Sequence, residues 1–321
     1  MKFDFTEVDI CIYHRNCGDG FCCAWLIWSI VGGRGKKDID YLALSPSTKI
    51  NDKDLDKFAG KNVLIVDLSF SKNDLLDIQK VARNVLVVDH HKTAEADLKD
   101  LDFAIFRQDE CGASLLYGLL LSEMYDHDED ALCRVGGDVP RIVGFVKDRD
   151  LWQWKLEHSH EINAYLQTLP FEFEIWDEAA KCIDDFDGFK MLREKGSMIM
   201  ETQNRMANEL AEYANLVELY TGPERGETVK AKVVNCSVRE LISITGHAIL
   251  ELEKSKPENE QVEVAILYSI FPDGGFLFSV RSVPSFDASV IATAWGGGGH
   301  KNACGFKGRI EEGFPWLFEK D

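Results

Sequence analysis

The sequence predicts an α/β protein with an N-terminal parallel-sheet domain and a smaller C-terminal α/β domain. Three observations carry that reading. Asn62-Val-Leu-Ile-Val-Asp67 and Asn84-Val-Leu-Val-Val-Asp89 are continuously apolar and each ends in aspartate, the pattern of strands buried on both faces. Helix-compatible stretches separate the strands, so the two element types alternate. Beyond residue 227 the pattern changes to a hairpin around Pro272-Asp-Gly-Gly275. A chain of 321 residues also exceeds one comfortable core and suits two domains.

Taken in order, Val8 to His14 alternates and reads as the first strand. Gly18-Asp19-Gly20 makes a turn, Phe21 to Val31 is apolar enough for a buried helix, and Gly32-Gly33-Arg34-Gly35 stops it. The second strand is the run ending at Asp67. Ser71 then caps a helix from about Asn73 to Arg83. The third strand ends at Asp89, with His90 and His91 just beyond. Cys111-Gly-Ala-Ser114 opens a helix through Met124, and Val139 to Val146 leads into Lys147-Asp148-Arg149-Asp150-Leu151-Trp152. Phe171 to Tyr213 is helical, acidic and amphipathic, and Thr221-Gly-Pro-Glu-Arg-Gly226 reads as a linker. The expected division is therefore 1–190, a connector at 191–227, and 228–321. The last part opens on strand Lys230 to Asn235 and continues through a helix near Thr245 to Glu253. It then forms the hairpin Val262 to Ser282 and a helix from Asp287 to Trp295, closed by Gly296-Gly-Gly-Gly-His300.

Composition narrows the function classes. Hydrophobic content of 45% with 28% charged residues is that of a soluble globular protein. No apolar run reaches membrane-spanning length, and the start lacks the layout of a signal peptide. Nine cysteines in a chain this long, with no Cys-x-x-Cys, do not make a disulfide framework or a zinc ribbon, so a reducing cytoplasm is expected. The net charge is −19, divided as −17 over the first 227 residues and −2 over the remainder. A protein that tracks long nucleic acid needs a basic stripe. This one is acidic, which favours a small nucleotide or short oligonucleotide.

The chemistry-bearing residues fall mostly at strand ends or in the loops that follow: His14, Asp19, Asp67, Asp89, His90, His91 and Asp148. In open parallel sheets the C-terminal strand edge is where ligands bind. Asp oxygens and His nitrogens gathered there suit a pair of Mn²⁺ or Mg²⁺ ions about 3.5–4 Å apart. In Asp148-Arg149-Asp150 the residues alone leave Asp150 as an alternative to Asp148. Trp152, Trp154 and Trp176 are read as packing rather than base-stacking residues.

These motifs, in this order, resemble the DHH phosphoesterase superfamily over nearly the whole chain. His14 with Asp19 resembles its first motif, Asp67 the second, Asp89-His90-His91 the third and Asp148 the fourth. Phe278-Ser-Val-Arg281-Ser282 and Gly296-Gly-Gly-Gly-His300-Lys301 resemble the DHH-associated substrate domain. Families with this pairing include nanoRNases, nucleoside 3′,5′-bisphosphate phosphatases, cyclic-dinucleotide phosphodiesterases and RecJ-type exonucleases. The resemblance implies a metal-dependent phosphohydrolase with its active site in the cleft between the domains, cleaving short oligonucleotides or small nucleotides by two-metal activation of water. It implies a bridging role for Asp67, with His14 on one ion and Asp19, His90 and Asp148 on the other. Asp89 would orient a histidine, and His91 would be a donor to the substrate phosphate. Arg281, Gly296, Gly297, Gly298, Gly299 and His300 would bind substrate. A homodimer is compatible with this reading.

The resemblance departs at Cys17, where the first motif of the family carries a second aspartate. A thiolate is a poor match for Mn²⁺, so Cys17 is read as outside the ligand set, which leaves one of the two metal sites open. Inorganic pyrophosphatase or exopolyphosphatase activity is the alternative enzyme reading. A catalytically weakened nucleotide-binding regulator is the alternative outside catalysis.

Overall fold

The computed structural model describes residues 3–46, 48–124 and 140–318. The chain divides into two compact units, one up to Ile199 and one from Met200, with the division falling inside the long helix Phe186–Glu212.

The first unit holds a five-stranded parallel sheet of β1 (Ile10–His14), β2 (Asp40–Leu44), β3 (Asn62–Val66), β4 (Asn84–Asp89) and β5 (Ala104–Phe106), in the order β2-β1-β3-β4-β5. Its helices are α1 (Gly18–Leu26), α2 (Asp52–Phe58), α3 (Lys72–Val81), α4 (Lys92–Leu98), α5 (Gly112–Met124), α6 (Arg141–Asp150), α7 (Ser159–Leu166), α8 (Phe173–Asp184) and the start of α9 (Phe186–Glu212). Side chains alternate across a strand, and both faces of this sheet are covered. Val63, Ile65, Val85 and Val87 join Phe58, Leu75, Ile78 and Leu98 of α2, α3 and α4 in one core. Leu64, Val66, Leu86 and Val88 face the other way, into a core with α1, α5, α6 and α8. That double burial is why β3 and β4 are apolar throughout.

Ser71 caps α3 as expected, its hydroxyl accepting from the Asp74 N–H. Gly18-Asp19-Gly20, expected as a turn, is instead the first turn of α1, and the helix passes into a π-helical turn over Ile27–Val31. In the run expected from Val139, that residue lies outside the described residues, and α6 is described from Arg141.

The second unit contains a seven-stranded sheet ordered β10-β11-β9-β8-β7-β6-β12. Its strands are β6 (Asn215–Tyr220), β7 (Thr228–Asn235), β8 (Val264–Ile270), β9 (Gly275–Ser282), β10 (Gly298–His300), β11 (Ala303–Arg309) and β12 (Trp316–Phe318). β7 and β8 pair parallel and the remaining pairs are antiparallel. Helix α10 (Arg239–Lys254) packs on one face with Ala265 and Leu267, while α11 (Ser289–Ala294) packs on the other with Phe278, Val280 and Phe306. Thr221 to Gly226, expected as an inter-domain linker, is the turn between antiparallel β6 and β7. Its Gly-Pro signal marks a hairpin inside one sheet.

Candidate metal centre

The strand order brings the C-terminal ends of β1, β3 and β4 side by side. His14 is the last residue of β1, Asp67 follows β3, Asp89 closes β4, and His90 and His91 come next. Asp19 joins them from the first turn of α1. Three groups result, in each of which the ligand atoms lie within 4.8 Å of one another: Asp67, Asp89, His90 and His91; His14, Cys17 and Asp67; and Asp19, His90 and Asp150.

Asp67 belongs to two of these groups. It has φ +52°, an uncommon conformation for a residue with a Cβ, held by donation of its N–H to Val88 O at 2.9 Å. Its carboxylate lies 3.6 Å from His14 Nδ1 and 3.2 Å from His90 Nε2. His90 Nε2 is also 3.5 Å from Asp150 and 3.8 Å from Asp19. Asp19 is fixed at the N-terminus of α5, accepting from the N–H groups of Gly112 at 2.6 Å and Ala113 at 2.9 Å, where helix donors have no internal partner. Residue 112 has to be glycine, because a Cβ there would stand 2.7 Å from Asp67 Cβ.

The electrostatics are those of a site with surplus negative charge. Burial first, then the Asp67 and Asp150 carboxylates, push Asp19 well above the usual carboxylate range. Burial and Asp67 raise Asp150. Burial works against the charge of Asp67 too, but the neighbouring His14 and His90 imidazoles outweigh it and hold this carboxylate low. Burial alone would lower His90; the Asp67 hydrogen bond and the Asp150, Asp67 and Asp19 charges instead raise it to about 10. Burial of the Cys17 thiol, then Asp67, Asp150 and Asp19, push it well above its ordinary range.

Asp89 and His91 form an arrangement of their own. Asp89 Oδ1 accepts from the His90 N–H at 2.7 Å and lies 2.7 Å from His91 Nδ1, while Oδ2 accepts from Ser69 Oγ at 2.6 Å. With Nδ1 committed to Asp89, a contact between His91 and a substrate runs through Nε2. Burial opposes the imidazolium, but Asp89 raises His91 to about 9.

Asp148, preferred in the sequence as a metal ligand, lies outside all three groups, and Asp150 occupies that place. The Asp148 carboxylate is already used: it accepts from the N–H of Lys155 at 2.8 Å and of Leu156 at 3.1 Å. Burial opposes its charge, but Ser159 and those two N–H groups hold it below the usual carboxylate range. The segment it ties down has positive φ at Trp152, Trp154 and His158. The tryptophans also separate. Trp176 is buried in the core, and Trp154 stacks on His160 at 4.0 Å between centroids. Trp152 is 58% exposed, with its ring set edge-on to Trp154 at 5.0 Å between centroids.

Three buried ligand atoms among the described residues have no hydrogen-bond partner: His14 Nδ1, Asp67 Oδ2 and Asp150 Oδ2. Buried polar atoms are rarely left so, and two carboxylate oxygens with an imidazole nitrogen are a donor set for a divalent cation. The residues fit a metal centre.

In the second unit, Arg281 of β9 and His300 of β10 both lie opposite Ala303 of β11. Residues directly opposite share a face, so the two basic side chains flank Ala303 about 10 Å apart, two strand spacings. Arg281 donates to Ser243 Oγ at 2.9 Å and Val280 O at 2.8 Å. Among the described residues no carboxylate pairs with it. The glycine run serves two ends. Gly297 and Gly299 are required by the backbone, since a Cβ would stand 2.1 Å from Gly305 O and 2.6 Å from Cys304 Cα respectively. Gly296 and Gly298 face open space, although the Gly296 N–H already donates to Thr293 O at 2.9 Å.

No protein-family model matches the chain. It is 27% identical over 322 residues to the uncharacterized protein R106 of Acanthamoeba polyphaga mimivirus, covering 94% of this chain and 68% of that protein. Among solved structures it matches exonuclease RecJ bound to manganese, with a TM-score of 0.50 and 16% identity over 94% of this chain and 86% of that one. It also matches the pGpG-specific phosphodiesterase PggH of Vibrio cholerae, with a TM-score of 0.46 and 13% identity over 95% of this chain and 94% of that one. The chain has the fold of exonuclease RecJ. No described helix is long and apolar enough to cross a membrane.

Proposed function

We propose that this chain is a metal-dependent phosphohydrolase of the DHH superfamily that cleaves phosphoester bonds in short oligonucleotides or small nucleotides. The observation that carries the proposal is the trio of buried ligand atoms on His14, Asp67 and Asp150 that make no hydrogen bond, gathered near the end of the sheet where such folds bind ligands. His14, Asp19, Asp67, His90 and Asp150 would hold two divalent ions, Mn²⁺ or Mg²⁺. When bound, such ions polarise phosphoryl oxygens and lower the pKa of the attacking water. The chain's own groups complete the site. Asp89 fixes the ring of His91, and His91 Nε2 donates to a phosphate oxygen. Arg281 and His300, with the backbone at Gly298, take a second phosphate or nucleotide of the substrate. Exposed Trp152, two residues beyond Asp150, offers a face for a base. On this reading the metal centre belongs to residues 1–190 and substrate anchoring to 228–321, in a cytoplasmic enzyme that leaves room for a homodimer.

A hydrolysis panel with Mn²⁺ tests the proposal, using di- to pentanucleotides, adenosine 3′,5′-bisphosphate, cyclic dinucleotides, pyrophosphate and polyphosphate. Turnover should favour the shortest nucleotides and fall steeply beyond a few residues, because the first 227 residues carry −17 and supply no track for a long anion. Equal rates on a dinucleotide and a long single strand at physiological salt contradict the length limit. Turnover of pyrophosphate alone selects the pyrophosphatase reading, and no turnover of any substrate selects the regulatory one.

Arg281→Ala separates anchoring from chemistry. It should cut kcat/KM on a dinucleotide by about 10²-fold, the scale of a charged hydrogen-bonding pair. Slow cleavage of a nitrophenyl phosphoester, which has no second phosphate, should be nearly unchanged. An equal loss on both substrates would assign Arg281 to the fold of the second sheet instead.

A further inference from the structure

The three ligand groups do not offer the same atoms. Asp19, His90 and Asp150 present two carboxylates and an imidazole, whereas His14, Cys17 and Asp67 present an imidazole, a sulfur and a carboxylate. Cys17 stands at the N-cap of α1, but its side chain does not cap the helix; its carbonyl accepts from the Phe21 N–H at 2.9 Å instead. The sulfur is therefore left within 4.8 Å of the His14 and Asp67 donor atoms. Both of those residues present a buried atom with no hydrogen-bond partner, and Asp67 itself is 1% exposed. Softness argued in the sequence for excluding Cys17 as a ligand of Mn²⁺; the geometry turns the same softness into a statement about which ion binds.

Thiolate and imidazole with one carboxylate suit Zn²⁺ and its neighbours in the divalent series, while oxygen-rich sets suit Mn²⁺ and Mg²⁺. We propose that the two halves of the centre select different ions: the His14–Cys17–Asp67 position takes a thiophilic divalent ion of the zinc class with Cys17 Sγ as a ligand, and the Asp19–His90–Asp150 position takes Mn²⁺ or Mg²⁺. The inference rests on the reading of this cluster as a metal centre.

The test uses the full chain stripped of metal by chelation. It is titrated with Co²⁺ and followed by absorption, then equilibrated with one equivalent each of Zn²⁺ and Mn²⁺ per chain and analysed for metal content. The wild-type protein should show a sulfur-to-cobalt charge-transfer band in the near ultraviolet that added Zn²⁺ abolishes, and should retain one zinc and one manganese. Cys17→Ser and Cys17→Asp should both lose the band. Cys17→Asp should also lose zinc preference over manganese by at least the roughly 10- to 100-fold typical of removing a metal site's outer partner. Co²⁺ binding without the band, or a band that persists in either folded variant, overturns the assignment of Cys17 and leaves the metal centre standing. Failure of the wild-type chain to bind any of the three ions removes the metal-centre reading itself, and this inference with it. The wild-type spectrum and metal content decide the matter even where a variant does not fold.

Discussion

Asp67→Ala is expected to abolish turnover and to strip the protein of bound metal. The carboxylate is shared between two ligand groups and lies within 3.6 Å of His14 Nδ1 and 3.2 Å of His90 Nε2, so its removal disturbs both halves of the centre together. A metal ion supplies several kcal/mol of transition-state stabilisation, and each 1.36 kcal/mol is tenfold in rate. The loss should therefore be about 10³-fold or more in kcat. His91→Ala is the informative companion. Its imidazole is tied to Asp89, and its proposed role is donation to phosphate, so metal content should persist while the rate falls by roughly 10²- to 10³-fold. Metal analysis beside kcat on both variants is the measurement. Equal metal loss in the two would show that His91 is a ligand.

Most of the candidate ligand cluster was legible because it sits on the strands that announce themselves most strongly. β3 and β4 are covered on both faces, so their residues are apolar without interruption and the aspartate at each end stands out. The edge strand β2, Asp40–Leu44, was not read at all: its residues are exposed or half-buried, and no alternation marks it. β6 was hidden for another reason. It lies between the helical run that ends at Tyr213 and the turn at Thr221, so its residues fell inside the stretch read as a connector. Gly112 read only as a helix start, and its close approach to Asp67 and Asp19 depends on a contact across more than forty residues of chain. Trp152 was grouped with Trp176 by residue type, whereas one lies exposed on a segment held by Asp148 and the other lies in the core. The glycine run was read for phosphate alone, although half of it is needed for the close pairing of β10 with β11.

The exchange of Asp148 for Asp150 has a geometric origin and gives the second large effect. Both residues lie in the last turn of α6, and positions two apart on a helix point about 200° away from each other. One can face the ligand groups only if the other faces away, and sequence order does not say which. The structure turns Asp150 to His90 Nε2 at 3.5 Å and gives Asp148 to the backbone of the following segment. Asp150→Asn should therefore lose metal from the Asp19–His90–Asp150 position and cut kcat by about 10²-fold or more, as expected when a metal's contribution of several kcal/mol is compromised. The metal-free protein should be as stable as wild type or more so, because a carboxylate that burial and Asp67 disfavour has been neutralised. Asp148→Ala should do the reverse. The N–H groups of Lys155 and Leu156 lose their acceptor, at about 1 kcal/mol for each hydrogen bond, and Trp152, Trp154 and His158 lose what holds them at positive φ. Urea denaturation of chelator-treated protein, with and without added Mn²⁺, separates the two. Mn²⁺ should stabilise Asp148→Ala by nearly the wild-type increment and stabilise Asp150→Asn by much less. The opposite ranking would restore Asp148 as the ligand and leave the orphaned Oδ2 of Asp150 without a role in metal binding.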